Sequence, residues 1–154
     1  RVQKLHTLIA NCRKDYLHKA SHQISKNHAM IAIEDLRVSN MSKSAKGNTE
    51  EYGKSVKAKS GLNKSILDQG WNEFRRQLEY KQLWNGGLVV AVPAQYTSQT
   101  CPCCGHVSKD NRKTQAHFEC VECSYTNNAD IVGALNILER GHRLLACGES
   151  ALAA

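Results

Sequence analysis

Cys101-Pro102-Cys103-Cys104-Gly105 and Cys120-Val121-Glu122-Cys123 carry the strongest spacing signal in this chain. Cys101 is paired with Cys104, and Cys120 with Cys123, each across two intervening residues. A C-x2-C pair can close a tight knuckle that points two thiolates at one ion. Two knuckles at this separation complete a tetrahedral four-cysteine zinc site. Pro102 sets a turn inside the first knuckle, and Gly105 can take the positive φ that follows one. Cys103 could in principle replace Cys104, but the spacing and the following glycine favour Cys104. His106 and His117 are near, yet four thiolates already close a structural site. The expectation is a zinc ribbon over residues 97–126, holding structural Zn²⁺.

Composition bounds the rest. A chain of 154 residues fits one domain with a small insert. It has seven cysteines, and Cys12, Cys103 and Cys147 have no evident partner in the sequence. Free and zinc-bound thiols point to a reducing, cytoplasmic setting. No apolar run approaches a membrane span, and the N-terminus is no signal peptide, so no membrane partner is expected. The chain opens on Arg1 rather than methionine, which reads as a piece of a longer polypeptide. The formal net charge is +7, and nucleic acid is the natural partner of such a balance.

The flanking segments alternate. Residues 1–27 read as a helix with Val2, Leu5, Ile9, Cys12, Tyr16 and Ala20 along one apolar stripe. Residues 29–36 form a short apolar run ending in two acids, which suggests a strand buried on both faces. Residues 37–60 are polar and basic, carrying Arg37, Lys43, Lys46, Lys54, Lys57 and Lys59. This reads as a flexible flap over a nucleic-acid path, or as plain disorder. Residues 62–81 return to helical steps, with Leu67, Trp71, Phe74 and Leu78 on one face and Arg75 and Arg76 open to phosphates. Trp71 and Phe74 read as core anchors. Leu88–Val92 is a second buried strand closed by Pro93. A last helix runs from about 128 to 140, with Ile131, Leu135 and Leu138 at helical steps, Asn127 or Asn128 as N-cap and Gly141 as its stop. The tail over 146–154 reads as frayed.

Strands alternating with helices argue an α/β sheet covered on both faces, and two short strands are too few for one. In such sheets ligands collect outside the carboxyl ends of the strands. Glu34 stands at one such end, and Asp130 in the first turn of the last helix. Carboxylates gathered there can hold Mg²⁺ or Mn²⁺. Read singly, Glu34 is a solvated strand end and Asp130 a helix-capping acid; Asp35 rivals Glu34 because neighbours on a strand face opposite ways.

At Ile33-Glu34-Asp35-Leu36, Thr97-Ser98-Gln99-Thr100-Cys101-Pro102 and Asn128-Ala129-Asp130-Ile131-Val132-Gly133-Ala134-Leu135-Asn136-Ile137, the chain resembles the C-terminal part of TnpB (OrfB-type) transposon proteins. Gly61–Asp68 and Tyr80-Lys81 also fit, and the resemblance covers residues 1 to about 148. That family consists of RNA-guided DNA nucleases, called transposases and related to type V CRISPR effectors. The resemblance implies the distal half of an RNase H-like (RuvC-like) fold over residues 1–96, the ribbon at 97–126, and a closing helix at 127–145. It implies Glu34 and Asp130 as the second and third catalytic acids, Cys101, Cys104, Cys120 and Cys123 as ribbon ligands, and DNA and guide RNA as partners. The family's first aspartate lies in an Asp-x-Gly setting upstream of everything here. No Asp-x-Gly precedes Glu34, and Asp15 falls inside a helix. The expected partner is therefore an N-terminal half of the same polypeptide, without which cleavage by this chain should be inefficient. A non-catalytic nucleic-acid-binding module and an inactive remnant are the competing classes.

Overall fold

Helix α1 covers Val2–Asn27, as the periodicity predicts, but it buries a different face. Leu17, Ser21 and Ser25 are buried, whereas Val2, Leu5, Ile9 and Tyr16 are each more than half exposed. The expected stripe was ranked by hydropathy, and the packing partner overrides it. That partner is helix α4, Trp71–Trp84, which presents buried Gln77, Leu78 and Gln82. Small and polar residues meet there in a hydrogen-bonded seam. The Ser21 hydroxyl lies 2.9 Å from Gln77 Oε1, and Lys81 Nζ donates to Ser21 Oγ at 2.6 Å and to the His18 carbonyl at 2.8 Å. Burial pushes the Lys81 amine below its usual range. Ser21, Gln77 and Lys81 are tolerated there because they partner one another and the backbone, whereas Ser25 Oγ and Gln82 Oε1 are buried without a hydrogen-bond partner.

The computed structural model describes residues 2–148, which fall into two compact units. One takes residues 2–29 and 36–88; the other takes 30–35 and 89–148. The first holds α1, a short α2 (Val38–Met41), α3 (Val56–Asp68) and α4.

Two expectations about this unit need correcting. Residues 37–60 are not one structureless flap. After α2 the chain makes a tight turn bridged between Gly47 and Tyr52, in which Asn48 Oδ1 accepts the Glu50 and Glu51 amides. The next helix then begins at Val56 rather than 62. Asn63 pins the preceding loop by donating to the Ser42 and Lys43 carbonyls. Nor is 62–81 one helix. Gly70, at φ +67°, breaks it between α3 and α4, and that rotation turns Leu67 outward. Leu78 is buried as expected and Ile66 is buried too, while Trp71 and Phe74 are only half-buried.

The second unit holds β1 (Met30–Glu34), all but the first residue of β2 (Leu88–Val92), the cysteine module and α5 (Ala129–Ala146). β1 and β2 run parallel: the Leu88 amide donates to the Ala29 carbonyl at one end, and the Asp35 amide to the Val92 carbonyl at the other. The strands are not buried on both faces as expected. β1 is half-buried throughout, and β2 buries Val90 and Val92 while leaving Leu88 exposed. Two strands and one covering helix cannot shield both faces of a sheet.

α5 departs from expectation in the same way as α1. Ile131, Leu135 and Leu138 are all more than two-fifths exposed, and the buried line is Ala129, Val132, Asn136 and Gly141. The N-cap is Asn128, whose side chain accepts the Asp130 and Ile131 amides. Gly141 does not stop the helix. The end comes after Ala146, with Gly148 at φ +68° beyond the Cys147 cap. Of the expected frayed tail, Ala146 is helical, and residues 149–154 lie outside the described residues.

Gly141 has another role. A Cβ on it would lie 2.9 Å from the Ala32 Cβ, so its missing side chain is what lets α5 lie close on β1. Helix propensity favours alanine over glycine by about 1 kcal/mol. Overpacking against a strand costs about 1–3 kcal/mol. The Gly141→Ala protein is therefore expected to melt a few degrees lower; a raised midpoint would show that α5 does not sit tightly on β1.

Candidate metal centre and acid cleft

The cysteine module is built by two knuckles with the same hydrogen bonds. In the first, the Gly105 amide donates to the Cys101 carbonyl and the Cys101 amide to His106, each at 2.9 Å. In the second, the Ser124 amide donates to the Cys120 carbonyl at 3.0 Å and the Cys120 amide to Tyr125 at 2.9 Å. Gly105 (φ +78°) and Ser124 (φ +58°) occupy the same left-handed position. The antiparallel pair β3 (His117–Glu119) and β4 (Thr126–Asn128) carries the second knuckle. Phe118 is fully buried beside Cys101, Cys120, Ala129 and Val132.

The Sγ atoms of Cys101, Cys104, Cys120 and Cys123 lie within 4.8 Å of one another. Cys103 is exposed and outside the cluster. Sulfur separations of 3.6 Å link Cys101 to Cys123 and Cys104 to Cys120, far beyond a disulfide bond. Zinc–sulfur bonds of about 2.3 Å give a tetrahedron with edges of roughly 3.8 Å, so the cluster has the size such an ion needs.

The thiols also perturb one another. For Cys120, burial opposes ionisation, but the Cys123 and Glu122 amides and the neighbouring thiols outweigh it and pull the pKa down to about 6. Cys123 gains from the Tyr125 amide, yet burial and the other three thiols push it up to about 12. Cys104 is likewise raised: the His106 amide favours its thiolate, and burial with Cys120 and Cys101 opposes it. Without a cation the cluster accommodates little negative charge, and a dication relieves that conflict.

One residue that sequence reasoning missed holds the module together. Asn111 is fully buried. It donates to the Gln99 and His106 carbonyls and accepts the Val121 amide, joining one knuckle to the other. Only the rule that a buried amide must find partners could have singled it out.

A cleft of about 440 Å³ opens beside the module. Glu34, Thr97, Ser98, Arg112, Asp130 and Gly133 are among the residues lining it. The two expected acids are thus brought to one cavity, whereas Asp35 is not part of its lining. Thr97 donates to Glu34 Oε1 at 2.7 Å. Asp130 has a side chain 75% exposed, with Arg112 at 3.8 Å. Arg112 was not singled out from the sequence, because nothing local marks which of many cations will face an acid.

The expected phosphate-binding cations fare unevenly. Arg37, Lys43, Lys46, Lys54 and Lys57 are exposed. Lys59 is half-buried and donates to the Met41 carbonyl at 2.7 Å, which closes the end of α2. Arg75 is paired with Glu79, and Arg76 holds Glu73 through two hydrogen bonds. Arg76, with help from Gln77, pulls the Glu73 carboxyl down to about 2. A phosphate would have to displace that carboxylate.

Comparison with known proteins adds the following. Residues 71–137 match the family model "Cas12f1-like, TNB domain", and residues 1–45 match "Probable transposase" of the OrfB_IS605 type. The chain is 64% identical over 97% of its length to "Putative RNA-guided DNA endonuclease InsQ" of Escherichia coli (strain K12), spanning 37% of that protein. It is 29% identical over 92% of its length to "TnpB-like protein MJ1635" of Methanocaldococcus jannaschii, spanning 29% of it. A solved cryo-EM structure of a Cas12f1–sgRNA–target DNA complex superposes over 88% of this chain and 36% of the matched one, with TM-score 0.61 and 23% identity. The mixed α/β fold is shared with that structure. No helix of the described residues is long and apolar enough to cross a membrane.

Proposed function

The chain belongs to the TnpB (OrfB-type) family, and we propose that it works as the C-terminal portion of a transposon-associated, RNA-guided, metal-dependent DNA endonuclease. The observation that carries this reading is that Glu34 and Asp130, distant in sequence, line one open cleft. On this reading β1, β2 and α5 are the distal elements of an RNase H-like (RuvC-like) domain, residues 97–126 are its zinc ribbon, and the setting is cytoplasmic.

Carboxylate oxygens suit hard cations, and the exposed Asp130 side chain leaves its oxygens accessible, so Glu34 and Asp130 fit as ligands for Mg²⁺ or Mn²⁺. Such ions, when bound, supply hydroxide from water and stabilise the leaving oxygen of a phosphodiester. The chain's own contribution is placement. Thr97 fixes one Glu34 oxygen, the Asn128 cap fixes the start of the helix bearing Asp130, and Arg112 offers a cation to a phosphate entering the cleft. Four thiolates fit structural Zn²⁺, which would tie the Asp130 end of α5 to the knuckles.

DNA and guide RNA are the proposed partners. Arg37, Lys43, Lys46, Lys54 and Lys57 are the cations open to phosphate, with Arg75 and Arg76 in a secondary place because each already holds a carboxylate. Binding of a single-stranded oligonucleotide is expected to weaken by about tenfold or more between 50 and 200 mM salt, by counterion release from several phosphates. Anisotropy titrations measure this, and a flat salt response would remove nucleic acid as the partner. The decisive assay supplies the preceding segment of a longer relative with its RNA. Cleavage should then appear, while the chain alone should cut negligibly.

A further inference from the structure

We infer that Thr97 is a positioning residue for the acid cleft, and that α5 sets the separation of Glu34 and Asp130 through it. The inference rests on the reading of those two acids as metal ligands. Thr97 is 4% exposed, and its hydroxyl has one proton and two acceptors in reach. Glu34 Oε1 is at 2.7 Å and the Ala94 carbonyl at 3.0 Å. The shorter, charge-assisted bond to the carboxylate is the stronger.

What makes this more than one contact is how Thr97 is itself held. Buried Asn136 of α5 donates to the Thr97 and Thr100 carbonyls, both at 2.8 Å. One turn further along the same helix, Arg140 donates to the Pro93 and Gln95 carbonyls, both at 2.7 Å. Residues 93–100, which link β2 to the first knuckle, are therefore fastened to α5 at four carbonyls. The same helix carries Asp130 in its first turn. One acid rides on α5 directly. The other, on β1, is oriented by a hydroxyl that α5 holds in place. Glu34 has several rotatable bonds and would otherwise sample rotamers that turn its carboxylate out of the cleft.

Mn²⁺ is the probe, titrated into the zinc-loaded full chain and followed by electron paramagnetic resonance. Thr97→Val keeps the shape and removes the hydroxyl; Mn²⁺ affinity should fall about tenfold, as for other groups that orient metal ligands. Thr97→Ser keeps the hydroxyl and should stay within about twofold of the unsubstituted chain. Serine as weak as valine would mean that the side chain acts by packing alone, which overturns the inference. Glu34→Gln separates the two levels. If it weakens Mn²⁺ while Thr97→Val does not, the positioning role is wrong and the cleft stands. If Glu34→Gln binds as before, the reading of the cleft fails and the inference falls with it. A further measurement needs no change at Thr97. Its hydroxyl proton should exchange slowly in the unsubstituted chain and faster in Glu34→Ala, where only the weaker Ala94 acceptor is left, and rapid exchange in the unsubstituted chain would refute the hydrogen bond.

Discussion

Replacing Cys120 by serine is expected to strip the chain of zinc and to unfold residues 97–128. Cys120 is 1% exposed and packs with Phe118, Cys101 and Val132, so its sulfur anchors the metal cluster and the small apolar core around it together. The purified protein should carry one zinc per chain, falling to near zero in Cys120→Ser and Cys101→Ser and staying at one in Cys103→Ser. Cys104→Ser distinguishes the two adjacent thiols: it should lose zinc, because Cys104 and not Cys103 lies within the cluster. Ligation also requires thiolates, so loading releases protons. Cys123 is pushed up to about 12 and Cys104 is raised in the metal-free cluster, so protons compete strongly there. Zinc affinity should therefore fall with pH through the alkaline and neutral range, and more steeply below about 6, where Cys120 is protonated as well. Elemental analysis with a pH series of chelator competition checks both statements. A pH-independent affinity, or zinc retained without Cys120, would count against the four-thiolate site.

The second large effect concerns the acids. In the reconstituted nuclease, Glu34→Gln and Asp130→Asn should each lower cleavage by about a thousandfold or more, equivalent to about 4 kcal/mol of barrier. Each change preserves shape and removes a negative oxygen ligand, so the loss would report on metal placement rather than on packing. Asp35→Asn is the internal control, because Asp35 does not line the cleft and should cost little. Single-turnover cleavage at saturating Mg²⁺ reads the effect. Full activity in the Glu34→Gln, Asp130→Asn double variant would exclude this cleft as the reaction centre. Partial rescue by Mn²⁺ would support it, since a softer ion tolerates amide oxygen better than Mg²⁺ does.

The same structure shows where local pattern ceases to predict. Periodicity places α1 and the start of α5, though not the end of α5, yet both helices bury a face other than the expected apolar stripe. α1 meets α4 through Ser21 and Gln77, and α5 meets β1 through Gly141 against Ala32. Close approach of backbones selects small or hydrogen-bonding residues, and a scale that rewards large apolar side chains assigns them to the surface. The Gly70 break and the folded 47–52 turn were missed for a related reason. A left-handed glycine inside a helical pattern is indistinguishable in sequence from a tolerated one.

Elements whose cause is local are legible in the chain. These are the two knuckles, set by C-x2-C spacing and by the turn at Gly105, the Asn128 cap, and the apolar runs that became β1 and β2. The sequence also supplied the family resemblance that marked Glu34 and Asp130. Whatever depends on distant segments meeting follows from packing. It gathered the four sulfurs within 4.8 Å of one another, left Asp35 out of the cleft that Glu34 and Asp130 line, and brought Arg112 to Asp130. It turned Lys59, Arg75 and Arg76 from open cations into partners of groups within the chain. Spacing along a chain fixes which atoms can reach one another within a few residues. Which distant atoms do meet is set by the packing of whole elements, and that is where Asn111, Thr97 and Asn136 act.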